Sequence, residues 1–297
     1  MEKILVILGP TASGKSALAV KLAKKFKGEI ISADSRQVYK GLDIGTGKIT
    51  KKEMGGIPHH LLDIASPKKT FTVVQYKKLA EKTINKIIKK GKLPIVCGGT
   101  GFYIQAVVDN MSLPEVKPNV KLRRNLEKKS VTQLGEILKK LDPKRYRTID
   151  TKNARRLIRA IEIAKQLGHV PTLKRKAKFD ALQIGISTDN NILQKKIRTR
   201  LLERVGQGMA EEVKHLRAHG LSFKRLESFG LEYKYIALYL QKRLSKNEML
   251  TRLESEIKKY AKRQKTWFKK DTRIKWFTLT DLAKIEKEVK FFTIHQG

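Results

Sequence analysis

Apolar residues recur along this chain with two periods. Short apolar runs bounded by glycine or polar turns occur at residues 4–8, 29–35, 59–64, 93–97, 181–187 and 274–278, and their length and flanks predict strands. Residues 17–23, 73–90, 192–205, 210–218 and 247–269 instead repeat apolar positions every three or four residues, the spacing of amphipathic helices. In the last of these Leu250, Leu253, Ile257, Tyr260, Ala261 and Gln264 follow a near-heptad spacing. Strands alternating with helices predict an α/β core around a parallel sheet flanked by helices. Ligands of such cores sit beyond the carboxyl ends of the strands.

Residues 113–180 break this alternation. They are charged, helical and nearly free of strand patterns, so they are read as a mostly helical insertion into a core made of residues 1–112 and 181–297. Within it, Leu157, Ile161 and Ala164 share one helix face, whereas Arg155, Arg156 and Arg159 gather on the other. The stretch is also the most densely basic part of a strongly basic chain, which holds 66 Lys and Arg against 28 Asp and Glu, a formal charge of +38. Self-repulsion of that size favours a polyanionic partner such as nucleic acid. No apolar run reaches the length of a membrane span, and the basic start is too short for a signal peptide. A single cysteine, Cys97, excludes a disulfide framework or a cysteine-based zinc site and fits the cytoplasm. The adjacent His59 and His60 lack metal-ligand spacing.

Between the first apolar run and the first helical pattern stands Gly9-Pro10-Thr11-Ala12-Ser13-Gly14-Lys15-Ser16. Strand, glycine loop and helix are the context that a phosphate-binding loop requires. Its glycines let backbone amides turn inward at the positive end of the following helix. Lys15 adds a point charge for a terminal phosphate, and Ser16 offers a hydroxyl to Mg²⁺. The strand at 93–97 ends in Gly98-Gly99-Thr100 with no acid, so Asp34 and Asp63, which end other strands, are the candidates for a Mg²⁺-orienting carboxylate. Asp34 is equally placed to act as a general base. The residues alone leave both roles open, but the topology brings Ser16, Asp34 and Thr100 around one crevice.

Longer motifs narrow the choice. The phosphate loop is followed by Asp34-Ser-Arg-Gln-Val-Tyr-Lys-Gly-Leu-Asp-Ile-Gly-Thr46, His59-His-Leu-Leu-Asp-Ile64, Gly98-Gly-Thr-Gly-Phe-Tyr103, Asn153-Ala-Arg-Arg-Leu-Ile-Arg-Ala-Ile-Glu162 and Tyr260-Ala-Lys-Arg-Gln-Lys-Thr-Trp267. In this order, over nearly the whole chain, the motifs resemble the bacterial tRNA dimethylallyltransferase family. The resemblance implies a P-loop NTPase-like core that holds the diphosphate of dimethylallyl diphosphate with Mg²⁺. The implied acceptor is N6 of the adenosine 3′ of the anticodon, position 37, in tRNAs reading codons that begin with U. It further implies that Asp34 is the general base, that Thr100 contacts the reacting region, and that Arg123 lies near the substrate. The segments matching the family's tRNA contacts contain Asp34, Ser35, Arg36 and Gln37; Arg155, Arg156, Leu157, Ile158 and Arg159; and Lys262, Arg263, Lys265 and Trp267. One departure is Phe229-Gly-Leu-Glu-Tyr233, where the family commonly carries a Gly-Tyr pair.

Three rival readings compete with this one. A P-loop kinase for a nucleotide or small molecule would share the loop but gives no reason for the charge. An isopentenyltransferase acting on free adenine nucleotides would not need the basic insertion. A non-enzymatic RNA-binding module would leave the phosphate loop idle. The expected partners are therefore the anticodon stem-loop of tRNA and dimethylallyl diphosphate, with no membrane, for a protein expected to be monomeric.

Overall fold

The computed structural model describes residues 1–294, in two compact units. The first comprises residues 1–110 and the chain from Ala177 onward, and the second residues 111–176. The sequence pattern sets these boundaries a few residues later, at 112/113 and 180/181.

The first unit is built on a sheet of six strands, β1 (Glu2–Leu8), β2 (Gly28–Ser32), β3 (His59–His60), β4 (Leu93–Gly98), β5 (Phe179–Ile186) and β6 (Lys275–Phe277). Their order is β3-β2-β4-β1-β5-β6 and every pairing is parallel. The helices of this unit are α1 (Lys15–Lys25), α2 (Lys51–Met54), α3 (Val73–Ile88), α4 (Gly101–Val108), α9 (Asn190–Gly206), α10 (Met209–Ala218), α11 (Phe223–Phe229), α12 (Leu231–Leu240), α13 (Lys246–Phe268) and α14 (Leu282–Ile294). The second unit holds α5 (Val120–Leu126), α6 (Val131–Leu141), α7 (Pro143–Thr148) and α8 (Ala154–Leu167).

Central strands such as β1 are buried on both faces, which is why they read as continuous apolar runs. The alternation is still visible in the packing. Leu5 and Ile7 join one core with Leu18 and Leu22 of α1 and Ile285 and Val289 of α14. Ile4, Val6 and Leu8 join the other core, with Tyr76 and Ile84 of α3, Ile104 of α4 and Leu253 of α13. Leu126, Leu134, Leu138, Leu157, Ile158 and Ile161 form a separate core within the second unit.

Reciprocal capping boxes start α3, between Thr72 and Gln75, and α13, between Ser245 and Glu248. The pattern of residues 223–240 and 282–294 carries no helix prediction, so α11, α12 and α14 are additions from the structure. The strand expected over residues 59–64 is shorter than predicted. Leu61 and Asp63 take φ of 62° and 55°, which ends the ladder, and the Asp63 carboxylate is engaged by Lys48. Among the described residues no helix is long and apolar enough to cross a membrane.

Candidate active site

The loop from Gly9 to Ser16 joins β1 to α1. Gly14 caps α1 in a left-handed conformation, with φ 87° and no side-chain cap, so the first-turn amides of the helix are left for an external acceptor. Ala12 also takes a positive φ, 62°, and alternating left- and right-handed residues turn successive amides into an anion nest. Inside the loop the Ser13 hydroxyl is buried without a partner among the described residues, which leaves one more donor for a bound oxyanion. Lys15 Nζ rests on the Pro10 carbonyl at 3.2 Å. Burial lowers the Lys15 pKa, with Arg200 and Arg204 acting in the same direction, while Cys97 and Asp34 oppose the shift. The ammonium is thus poised among positive neighbours where an anion belongs.

Those neighbours were absent from the sequence expectation. Arg200 and Arg204 lie in α9, and Arg204 pairs with Glu232 at 3.5 Å. Arg200 is partly buried and makes no hydrogen bond or ion pair among the described residues. Burial lowers its pKa, and so does the charge of Arg204. A desolvated, unpaired guanidinium costs stability unless an anion joins it. Its signal in the sequence is slight: one arginine in a helix of many cations.

The acceptor side of the crevice comes from two other strands. Asp34 follows β2, and its Oδ1 accepts from the amides of Arg36 at 2.8 Å and Gln37 at 3.3 Å, which fixes the carboxylate. Thr100 follows β4; its Oγ1 accepts from the Ser35 amide at 3.0 Å, and its own amide donates to the Ala33 carbonyl. Tyr76 and Tyr103 stack at 4.0 Å nearby and carry raised phenol pKa values, from burial first and partly from Asp34. Cys97 is a small buried residue whose thiol burial pushes up to about 11.

One side chain ties the two sides together. Gln264, on the buried face of α13, accepts from the Thr11 amide at 2.8 Å and donates to the Gly99 carbonyl at 2.9 Å. The heptad pattern marked Gln264 only as an interior position; its amide cross-links the phosphate loop to the end of β4.

The remaining expected contacts sort by what already holds them. Arg36 Nε donates to the Phe229 carbonyl at 2.7 Å, and the Gln37 amide group donates to the carbonyls of Thr46 and Gly47. These two therefore shape the loop that follows Asp34. The same loop is pinned by Glu212, which accepts from the amides of Asp43, Ile44 and Gly45 and from the Tyr233 hydroxyl. Glu232, the acid of the departing segment, is buried; burial raises its pKa, against the opposing charges of Arg204 and Arg200. It is an interior partner and not a surface acid.

On α13, Lys262, Arg263 and Trp267 are exposed, Lys265 donates to Asn190, and Arg263 lies over the Tyr260 ring. In the second unit, Arg155 and Arg156 are exposed. Leu157 and Ile158 are 0% and 8% exposed in that unit's core. Contact of their side chains with RNA is corrected accordingly: the apolar stripe of α8 is spent on packing. Arg123 forms a two-pronged pair with the buried Glu162, which also holds Arg159 and the Asn119 amide.

At the phosphate end Ser16 is the residue that would hold Mg²⁺. Ser16 presents an exposed hydroxyl at the start of α1, and no group of three His, Cys, Asp or Glu able to hold a metal occurs among the described residues.

Comparison with known proteins places the molecule. The family described as IPP transferase matches residues 37–271. The chain is 42% identical over 299 residues to "tRNA dimethylallyltransferase 1" of Syntrophus aciditrophicus, covering 98% of both chains. It is 45% identical over 270 residues to the protein of the same name from Geotalea daltonii, covering 91% of this chain and 87% of that one. Among solved structures, the full-length tRNA isopentenylpyrophosphate transferase of Bacillus halodurans is 35% identical with a TM-score of 0.76, over 98% of this chain and 97% of that one. A eukaryotic dimethylallyltransferase captured acting on tRNA is 26% identical with a TM-score of 0.80, over 99% of this chain and 78% of that one. The chain belongs to the IPP transferase family, the tRNA dimethylallyltransferases, on a P-loop NTPase-like core.

Proposed function

We propose that this protein transfers the dimethylallyl group of dimethylallyl diphosphate to N6 of adenosine 37 in tRNAs reading codons that begin with U. The observation that carries this reading is the meeting of a phosphate loop with a fixed carboxylate. Thr100 ends β4, beside the strand that feeds the loop, and Asp34 ends β2, one strand further out, the two being joined through the Ser35 amide.

An exocyclic aromatic amine is a weak nucleophile. Asp34 accepts its proton as N6 bonds to the allylic carbon and the carbon–oxygen bond to diphosphate breaks; both electrons of that bond leave with the diphosphate. The loop amides and Lys15 hold the diphosphate and oppose its growing charge, with Arg200 beside them. Ser16 would hold Mg²⁺, which would supply further charge neutralisation there. The target base reaches the crevice by leaving the anticodon loop, where unstacking costs less than in a duplex. Thr100 serves the reacting region, and Arg155, Arg156, Lys262, Arg263 and Lys265 meet RNA phosphates. The enzyme works as a cytoplasmic monomer.

A transfer assay with labelled dimethylallyl diphosphate, Mg²⁺, unmodified tRNA and AMP tests this. Label in tRNA, abolished by replacing adenosine 37, is expected. Label in AMP alone overturns the acceptor, and ATP consumption without label overturns the reaction.

A further inference from the structure

We propose that Phe102 and Trp267 form a stacking platform for the unpaired RNA base next to the adenosine that is modified. The proposal rests on the function above and adds a recognition element to it. Phe102 and Trp267 are 38% and 39% exposed, and their rings meet edge to face, with centroids 6.5 Å apart at 72°. Phe102 lies two residues after Thr100, in the first turn of α4. Trp267 projects from the last turn of α13, on the side shared with Tyr260 and Arg263 at seven and four residues before it.

The pair is fixed in place even though it faces solvent. A Cβ on Gly101 would stand 2.3 Å from Trp267 Cδ1, so the indole lies directly against the backbone that connects Thr100 to Phe102. Only glycine permits that approach. The next residue, Phe268, is 3% exposed and supplies the core anchor at this helix end. Trp267 is therefore not needed to fill the interior.

Two large aromatic rings held against the backbone and exposed to water, on the helix side of Arg263 and beside a residue of the reaction crevice, match the chemistry of unpaired bases. Cations track the phosphates while aromatic faces replace the stacking that a base has lost. Extruding one adenosine from a loop strips its neighbour of a stacking partner. The platform offers that neighbour a substitute, and because every base has a π-face it does so with little regard for its identity.

The test uses an anticodon stem-loop with 2-aminopurine placed on the 5′ or the 3′ side of the target adenosine. Binding to the wild-type enzyme should change the fluorescence of one of these probes. Phe102→Ala and Trp267→Ala should each abolish that change and weaken RNA binding by about 5- to 100-fold. Phe102→Tyr should restore both, while Phe102→Leu, which keeps the volume in the first turn of α4, should not. Wild-type affinity with an unaltered probe signal in both alanine variants overturns the proposal. So does Phe102→Leu behaving as wild type, because shape and not stacking would then suffice. Should the wild type bind RNA and show the probe change without transferring a prenyl group, the platform stands and the proposed reaction fails.

Discussion

The phosphate end of the crevice is made chiefly by eight consecutive residues, with Arg200 added from α9, whereas the acceptor end draws Asp34, Thr100, Gln264 and Trp267 from segments far apart in the chain. At the phosphate end the working groups are mostly backbone amides, placed by the conformation of Gly14 and the start of α1. At the acceptor end they are side chains, placed by strand order and by contacts such as Gln264 with Thr11 and Gly99. Conformation is local and tolerates changes elsewhere; convergence depends on the whole sheet and on α13. The two ends should fail differently, the first through donor affinity and the second through the rate of transfer.

The largest effect is expected at Asp34. The Asp34→Asn substitution would keep an oxygen for the Arg36 and Gln37 amides, but the new amide cannot take a proton at neutral pH. Turnover should fall by about 10²- to 10⁴-fold, with tRNA affinity within a few-fold of wild type. Near-normal turnover in single-turnover assays would remove Asp34 from the base role and erase the contrast between the two ends.

Arg200 tests the phosphate end, because it lies outside the motif. Arg200→Gln should lower kcat/KM for dimethylallyl diphosphate by about 10- to 100-fold, the worth of a hydrogen bond to a charged group, chiefly through KM. A loss of tRNA affinity with an unchanged donor KM would move Arg200 to the acceptor side.

How much of this was legible follows from the same division. The P-loop and the parallel α/β core could be read because short periods and a contiguous motif encode them. Asp34 and Thr100 could be assigned to one crevice because each ends a strand. Arg200 could not be found, since its meaning comes from lacking a partner, and partners are a property of packing. Gln264 hid as a polar residue in an apolar register. The strand predicted to Ile64 failed because Leu61 and Asp63 adopt positive φ, a cost that only the surrounding loop makes tolerable.

Two carboxylates at opposite ends of β2 sharpen the comparison between working and structural groups. Asp34 follows the strand and, among the described residues, is held by backbone amides. Glu29 lies within it, with a side chain 1% exposed that meets Lys90, Lys92 and His60. Burial by itself would raise the Glu29 pKa, but hydrogen bonds from Lys92, His60 and Lys90 outweigh it and bring the value down from 4.5 to about 2. A carboxylate depressed in the folded state adds stability above its unfolded pKa and loses it as the pH falls. The contribution is therefore complete above pH 4.5 and disappears on acidification towards pH 2. Glu29→Gln should cost on the order of 2 kcal/mol at pH 7, screened by the half-exposed lysines. It should also flatten the acid limb of the denaturation curve. An unchanged acid limb would make Glu29 a spectator.

The smallest effect separates two arginines of α8 that sequence places on one face. Arg159 is bound to the buried Glu162 and to the Val116 carbonyl, so its guanidinium is already engaged within the second unit. Arg156 is exposed and its side chain reaches, among the described residues, only Asp150, at 3.4 Å, a surface pair of little worth. Only the second charge is free to displace counterions from RNA. Arg156→Ala should reduce the salt dependence of tRNA binding by about 0.7–0.9 in log–log slope, with a few-fold loss of affinity at moderate salt. Arg159→Ala should instead lower the melting temperature and leave the slope nearly unchanged, because Glu162 loses one of its two cations. If the slope falls more for Arg159 than for Arg156, Glu162 releases its arginine to RNA, and an internal ion pair is a poor guide to which cations are available for binding.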